Sequence, residues 1–336
     1  MKVLFIVPRL DKASTRYRVL QYQPYFEKMK INTKVKTLPG KLIDRLKLWR
    51  SCKEHDVVFL QKRLLSAWDL YWLRKFSTYL CYDFDDAVML TDSASNKNES
   101  SNRKRKFSRI VKNSDLVIAG NSYLSEIAHK YGASNIKVVN TPVELKRYHV
   151  KEHLRESDSV TIGWIGSNTT LGYLEIIRPA LEAIGEKYPQ IKLKLISDRF
   201  LNFDHIETDF TRWDYESEID ELNSFDIGIM PLTDDRWSRG KCGFKLLQYM
   251  AVGIPTVCHP IGLNKEIVLD GETGLWATTH EQWVDALSRL IVQKELRKEM
   301  GKKGRERVSK LYSTEINAKR LADNLHEITN SNIQYL

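Results

Sequence analysis

Arg239, Lys241 and Lys245 set three positive charges in one short stretch, interleaved with Gly240 and Gly243. The run from Ser238 to Val257 reads as a basic loop, then a short helix, then a Gly-Ile-Pro turn into a buried strand. Phosphate chemistry suits that order. A helix N-terminus presents unpaired backbone N–H groups and a partial positive charge. Glycine lets the backbone approach a ligand closely. Lysine and arginine add full charges, so all three side chains are candidates for gripping a diphosphate and stabilising charge that develops on it. Further along the helix, Gln248 offers an amide to sugar hydroxyls. A merely solvated basic loop is the plain alternative.

A second constellation is Ile162-Gly163-Trp164-Ile165-Gly166-Ser167-Asn168-Thr169-Thr170. A strand ending in small polar residues at a helix start can line the same diphosphate through Gly166 and Ser167. Ser167 or Thr169 can equally serve as a helix N-cap, worth ~1 kcal/mol. In the first half, Tyr82-Asp83-Phe84-Asp85-Asp86 ends a strand with three carboxylates. Alternation along a strand puts Asp83 and Asp85 on one face, and three acids can hold a divalent cation through oxygen. Asp86 can instead cap a helix. Near the N-terminus, Ser14 or Thr15 can cap the following helix, while Arg16 and Arg18 can reach a phosphate. His149 and His153 stand four apart, a zinc spacing, but within a charged segment and without a third ligand.

The elements that must position these groups alternate. Apolar runs at Val3–Val7, Thr33–Thr37, Val57–Leu60, Leu80–Phe84, Leu116–Ala119 and Lys137–Asn140 read as strands. Helical patterns at Tyr17–Lys28 and Tyr123–Tyr131 fall between them. A charged stretch, His149 to Asp158, reads as a linker, after which the pattern restarts. Val160–Trp164, Lys192–Ile196, Ile227–Met230 and Thr256–Cys258 are the next strands, with helices at Leu174–Tyr188 and Phe244–Ala251 and a helical tail from Glu281. Such alternation specifies an α/β chain of two doubly wound, Rossmann-like domains with parallel sheets. Ligands bind such sheets beyond the carboxyl ends of the strands, so two facing domains would enclose the site in a cleft. The polar loop Ser93 to Ser101 follows the acidic strand and reads as a loop at that cleft or as plain surface.

Composition narrows the setting. The 336 residues are enough for two domains, and 42% hydrophobic content is enough for two cores. A formal charge of +10 favours an acidic partner such as a phosphorylated ligand or an anionic lipid surface, or serves solubility alone. Nucleic acid fits the charge, but no aromatic-basic RNA motif or zinc spacing accompanies it. The four cysteines, Cys52, Cys81, Cys242 and Cys258, form no CxxC pair, which points to a reducing compartment. Met1 to Pro8 reads as a first strand rather than a signal peptide. No apolar run approaches the ~20 residues that span a bilayer. A cytosolic protein, or one held at the inner face of a membrane, is expected. Gly40 to Lys75 mixes lysine and arginine with Leu46, Leu48, Trp49, Trp68 and Trp72, a composition that suits either a membrane interface or ordinary helix packing.

Gln248-Tyr249-Met250-Ala251-Val252-Gly253-Ile254-Pro255 resembles the nucleotide-sugar site of GT-B glycosyltransferases, especially the glycosyltransferase family 4 type. That pattern is a Glu, seven residues, a second Glu, then Ala-Met-Ala-x-Gly-x-Pro. Gln248 stands at the second Glu and Gly240 at the first. Pro260 to Val268, with Asp270-Gly271 and Thr273-Gly274 as turns before another strand, continues the resemblance. So do the Asp-x-Asp-Asp element, Gly120-Asn121-x-Tyr123-Leu124 and Thr141-Pro142-Val143, so that it covers nearly the whole chain.

The resemblance implies an acceptor-binding domain over 1–156, a nucleotide-sugar-binding domain over 157–315 and a C-terminal helix, 316–336, that crosses back to the first. It implies a retaining, metal-independent transferase that takes its sugar from a nucleoside diphosphate sugar, UDP or GDP, with no other cofactor. The acceptor would be a glycan or a lipid-linked acceptor in cell-surface polysaccharide or glycoconjugate synthesis. Candidate catalytic residues are Lys241, Lys245, Arg239 and Asp83. Donor-binding candidates are Gly166, Ser167, Gly240, Gly243, Phe244, Gln248 (on the ribose), Gly262 and Glu266. Ser14, Arg16, Asp85, Asp86 and Asn121 are acceptor-binding candidates. A GT-B sugar-nucleotide epimerase and a GT-B protein that binds nucleotide sugars without turnover are the alternatives, the second motivated by the absence of both Glu residues.

Overall fold

The computed structural model of the chain describes residues 1–91, 100–150 and 159–330. Most of the expected polar loop and linker, with His153, lies outside the described residues. The first half runs β1 (Lys2–Val7), α1 (Ala13–Arg18), α2 (Gln23–Lys28), β2 (Asn32–Thr37), α3 (Leu42–Ser51), β3 (Val57–Gln61), α4 (Ala67–Phe76), β4 (Tyr79–Phe84), α5 (Ser101–Lys112), β5 (Leu116–Ala119), α6 (Ser122–Lys130) and β6 (Ile136–Val138). These strands form one parallel sheet in the order β2-β1-β3-β4-β5-β6. The central strands are covered on both sides, which is why Val3–Val7 of β1 and Val57–Leu60 of β3 are unbroken, buried apolar runs.

The second half continues with β7 (Thr161–Ile165), α7 (Asn168–Leu171), α8 (Tyr173–Ile176), α9 (Arg178–Lys187), β8 (Lys192–Ser197), β9 (Glu207–Arg212), α10 (Glu218–Asn223) and β10 (Ile227–Met230). Then come α11 (Arg236–Arg239), α12 (Phe244–Ala251), β11 (Thr256–Cys258), α13 (Asn264–Ile267), β12 (Gly274–Trp276), α14 (His280–Val292), α15 (Lys294–Leu311) and α16 (Thr314–Asn330). The second sheet is also parallel, ordered β12-β11-β10-β7-β8-β9.

Two expected helices are broken, and proline explains both. Pro24 has no N–H to donate back, so the Tyr17–Lys28 pattern divides into α1, a 3-10 turn over Leu20–Tyr22, and α2. Pro179, in the first turn of α9, separates it from α8 in the same way. The chain divides into two compact units, Met1–Pro142 with Asp235–Cys242 and Thr314–Leu336, and Val143–Asp234 with Gly243–Ser313. The first crossing therefore follows Pro142, ahead of the expected linker, and residues 235–242 group with the first unit. In that unit α16 supplies Ala318, Leu321, Ala322, Leu325 and Ile328, one helix face, to a core with Phe5, Phe26 and Phe59. The second core gathers Trp164, Leu193, Leu195, Ile229, Val257 and Trp283.

Candidate functional site

In the second unit the sheet reverses direction of growth between β7 and β10: β8 and β9 lie to one side of β7, β10 to β12 to the other. The carboxyl ends of β7 and β10 are thus the expected binding edge. The two strands pair at only two positions, Ile227 with Ile162 and Gly228 with Gly163. Tyr249 of α12 fills the gap. The Ile165 N–H donates to its hydroxyl at 3.0 Å, and the hydroxyl donates to the Ile229 carbonyl at 3.3 Å. Burial pushes the Tyr249 hydroxyl well above its ordinary range, so it stays a neutral donor. The wedge fixes α12 against the end of β7.

Lys245 lies four residues earlier on α12. Its Nζ donates to Thr170 Oγ1 at 3.2 Å and sits 4.1 Å from the centroid of the Trp164 ring. Gly166 lies between them. A Cβ there would come within 2.5 Å of both Lys245 Nζ and the Trp164 ring, so only glycine fits. Gly243 precedes α12 in the left-handed conformation (φ 62°) and packs its open side on Ile267. Phe244 follows, half-buried, as the first residue of α12. Ser167 occupies the N-cap position of α7 without a side-chain cap bond, its hydroxyl instead 2.8 Å from Thr169 Oγ1. Gly262, with φ 54°, lies in the loop after β11, and Glu266 is exposed on α13.

Gln248 is interior. Its Nε2 donates to Tyr148 Oη at 3.0 Å, and Tyr148 donates to Glu218 Oε1 at 3.3 Å. The Trp213 Nε1–H donates to the other Glu218 oxygen at 2.7 Å. A neutral amide suits this chain: the one phenolic proton goes to Glu218, and the phenolic oxygen accepts from Gln248. His259, after β11, accepts the Leu232 N–H at Nδ1 (3.1 Å), and its Nε2 lies 3.4 Å from the Thr278 carbonyl. Burial lowers its pKa below the ordinary 6.5.

The acidic end of β4 belongs to the first unit. Asp83 is fully buried and takes a forked guanidinium from Arg18, whose Nε lies 3.1 and 2.9 Å from the two carboxylate oxygens. Arg18 Nη1 also donates to the Val139 carbonyl (3.0 Å) and Thr141 Oγ1 (3.2 Å). Burial pushes the Asp83 carboxyl up while Arg18 pulls it down. Arg18 is therefore committed to the interior rather than to a phosphate, and the buried Asp83 carboxylate is spent on tying the carboxyl end of β4 to α1. Lys62, left-handed at the end of β3, pairs with Asp85 at 2.8 Å and with Asp86. Burial opposes ionisation of Asp85, and Lys62 with Arg18 overcomes it and holds the carboxyl below 3.8. Asp86 caps no helix. α1 begins at Ala13 with Lys12 at its N-cap, so neither Ser14 nor Thr15 caps it. Gln61 instead binds both, through the Ser14 carbonyl (2.8 Å) and the Thr15 hydroxyl (3.1 Å). Arg16 lies 5.9 Å from the centroid of the Tyr17 ring.

Asn121 caps α6 through the Leu124 N–H (2.8 Å) and donates to the Lys241 carbonyl (3.1 Å). Cys242 donates to the Asp85 carbonyl at 3.1 Å and fills the space that a Cβ on Gly120 would occupy. Gly240 rests on Ala87. The Gly120-Asn121 motif thus receives residues 235–242. The basic trio is divided accordingly, with Arg239 and Lys241 in the first unit and Lys245 in the second. Trp164, Tyr249, Tyr148, Glu218 and Lys62 were not singled out as site residues from sequence. Only the aromatic two positions before Gly166 carried a local hint.

Of the aromatics between Gly40 and Lys75, Trp49 is core, whereas Trp68 is 39% and Tyr71 60% exposed. They lie on α4 beside a groove of about 570 Å³ lined by Tyr71, Arg74, Lys75 and Arg109. Among the described residues, no helix is long and apolar enough to cross a membrane.

Residues 181–307 match the family model described as glycosyl transferases group 1. No curated protein matches the chain. The fold is GT-B. Sucrose-phosphate synthase from Thermosynechococcus elongatus superimposes with a TM-score of 0.77 at 14% identity, over 98% of this chain and 99% of that one. A glycosyltransferase from Rickettsia africae gives 0.75 at 15% identity, over 98% and 99%. Anabaena HepE, in complex with UDP and glucose, gives 0.70 at 15% identity, over 97% and 100%.

Proposed function

We propose that this chain is a retaining glycosyltransferase of the family 4 type, moving a sugar from a UDP- or GDP-sugar to a glycan or lipid-linked acceptor. The observation that carries the reading is Lys245, held over Gly166 where α12 meets the end of β7. The diphosphate would lie against the α12 N-terminus and the Lys245 ammonium. In the reaction the bond from the anomeric carbon to the donor phosphate oxygen breaks. The acceptor oxygen bonds to that carbon on the same face, and its proton passes to the departing phosphate. Charge grows on that phosphate, and one well-placed group there is worth ~3–4 kcal/mol of barrier. The similarity of residues 181–307 to group 1 transferases supports the reading, as does the UDP and glucose bound by HepE. Arg239 and Lys241 are proposed to add charge, and Asp85, Asp86 and Asn121 to shape the acceptor side. Pairing of the acids with Lys62 supports chemistry without a metal ion.

Work at an anionic membrane surface, from the cytoplasmic side, completes the proposal. α5 carries Arg103, Lys104, Arg105, Lys106, Arg109 and Lys112 and no carboxylate, beside the exposed aromatics of α4. Thermal stabilisation by UDP, GDP, ADP, CDP and dTDP with chelator present tests the donor. The cognate nucleotide at about 100 times its Kd should add ~2.7 kcal/mol. No response to any nucleotide would refute the donor reading, and binding without transfer would favour the binding-only alternative. Lys245→Ala should cut transfer sharply while leaving the fold intact.

A further inference from the structure

The residues that follow β7, Gly166-Ser167-Asn168, carry no charge. The burden on Lys245 is correspondingly greater, and a lone flexible lysine is a poor clamp, because its four-carbon stem samples many rotamers. The structure answers that problem with an aromatic ring. Trp164 is 1% exposed, so the core fixes its indole. The ring face lies 4.1 Å from Lys245 Nζ. An aromatic face attracts an ammonium electrostatically within about 6 Å of its centroid. Gly166 keeps the contact open, since a Cβ there would sit 2.5 Å from both groups. Thr170 Oγ1, at 3.2 Å, fixes the direction of the ammonium.

We propose that Trp164 is the positioning residue for Lys245, an indole platform that holds the ammonium beside Gly166, where the donor diphosphate would lie. The proposal rests on the donor reading above. It makes Trp164 a determinant of nucleotide affinity through Lys245 rather than through contact with the nucleotide.

A double-mutant cycle on the full chain tests it, with titration of UDP and of GDP as the probes and the tighter of the two as the readout. Lys245→Met should weaken binding by about tenfold or more. Trp164→Leu should weaken it by about fivefold in the native background and by less than about twofold in the Lys245→Met background. Trp164→Phe should fall between the native protein and Trp164→Leu. Equal losses from Trp164→Leu in both backgrounds would overturn the proposal, because the ring would then act through the fold. Should Trp164→Leu not fold, replacement of Trp164 by 5-fluoro- and then 5,6,7-trifluorotryptophan decides the matter. Fluorine drains the ring face while nearly preserving its shape, so affinity should fall stepwise, and a flat series refutes the platform. If neither nucleotide binds the native protein, or Lys245→Met leaves affinity unchanged, the donor reading itself fails and takes this proposal with it.

Discussion

Replacing Asp83 by Asn should destabilise the first unit by about 3–5 kcal/mol, the usual cost of leaving one member of a buried ion pair without its partner. The geometry sets that scale. The side chains of Arg18 and Asp83 are 2% and 1% exposed, so water cannot take the place of the lost carboxylate. Two of the three guanidinium nitrogens face Asp83, and the third is already bound to the Val139 carbonyl and the Thr141 hydroxyl. An amide oxygen would accept one of those bonds but carry no charge. Against a typical total of about 5–15 kcal/mol, the loss is a large fraction of the stability. The pairing with Arg18, rather than the carboxylate as such, is the source, so Arg18→Met with Asp83→Leu should recover most of it. Equilibrium urea denaturation with hydrogen exchange read at β4 measures both variants, and nucleotide binding by the second unit should be unaffected. If Asp83→Asn kept native stability yet abolished sugar transfer, the reasoning would be wrong, and Asp83 would be the catalytic group that its place in the sequence suggests.

Tyr249→Phe should cost about 1–3 kcal/mol for each polar group it leaves unpaired, the Ile165 N–H and the Ile229 carbonyl. It should also weaken nucleotide binding by loosening α12; unchanged binding and stability would show that the wedge is unimportant. Gln248→Glu places a second carboxylate around Tyr148, whose one proton already goes to Glu218. A loss of about 2 kcal/mol or more is expected, partly restored by Glu218→Gln, and a double-mutant cycle by denaturation checks the coupling. His259 has a lowered pKa, so the unfolded chain takes up a proton before the folded one does. Its contribution is present above pH 6.5 and is lost as the pH falls from there through the folded value. The slope of unfolding free energy against pH over that window should flatten in His259→Gln, and an unchanged slope would exclude the group as its source.

Local pattern was enough to read much of the architecture. β1 and β3 are legible because strands covered on both faces are continuous apolar runs, and α12 spans the same residues, Phe244–Ala251, that its periodicity and flanking glycines indicate. β9 was not legible. Glu207–Arg212 lies at a sheet edge with polar side chains, so neither face imposes an apolar alternation. The glycines and lysine of the donor candidate site were visible from spacing along the chain. Their partners were not. Lys245 meets Trp164 because the second sheet places the start of α12 over the end of β7, and Arg18 meets Asp83 because α1 and β4 come together in the first. The placement of Arg239 and Lys241 with the first unit depends on Asn121 and Asp85, more than a hundred residues away in the chain. Residue types and local periodicity fix which groups are available and which elements form. Strand order and the docking of helices on the sheets decide which of those groups share a low-dielectric environment, and that decides which charges are paired within the fold.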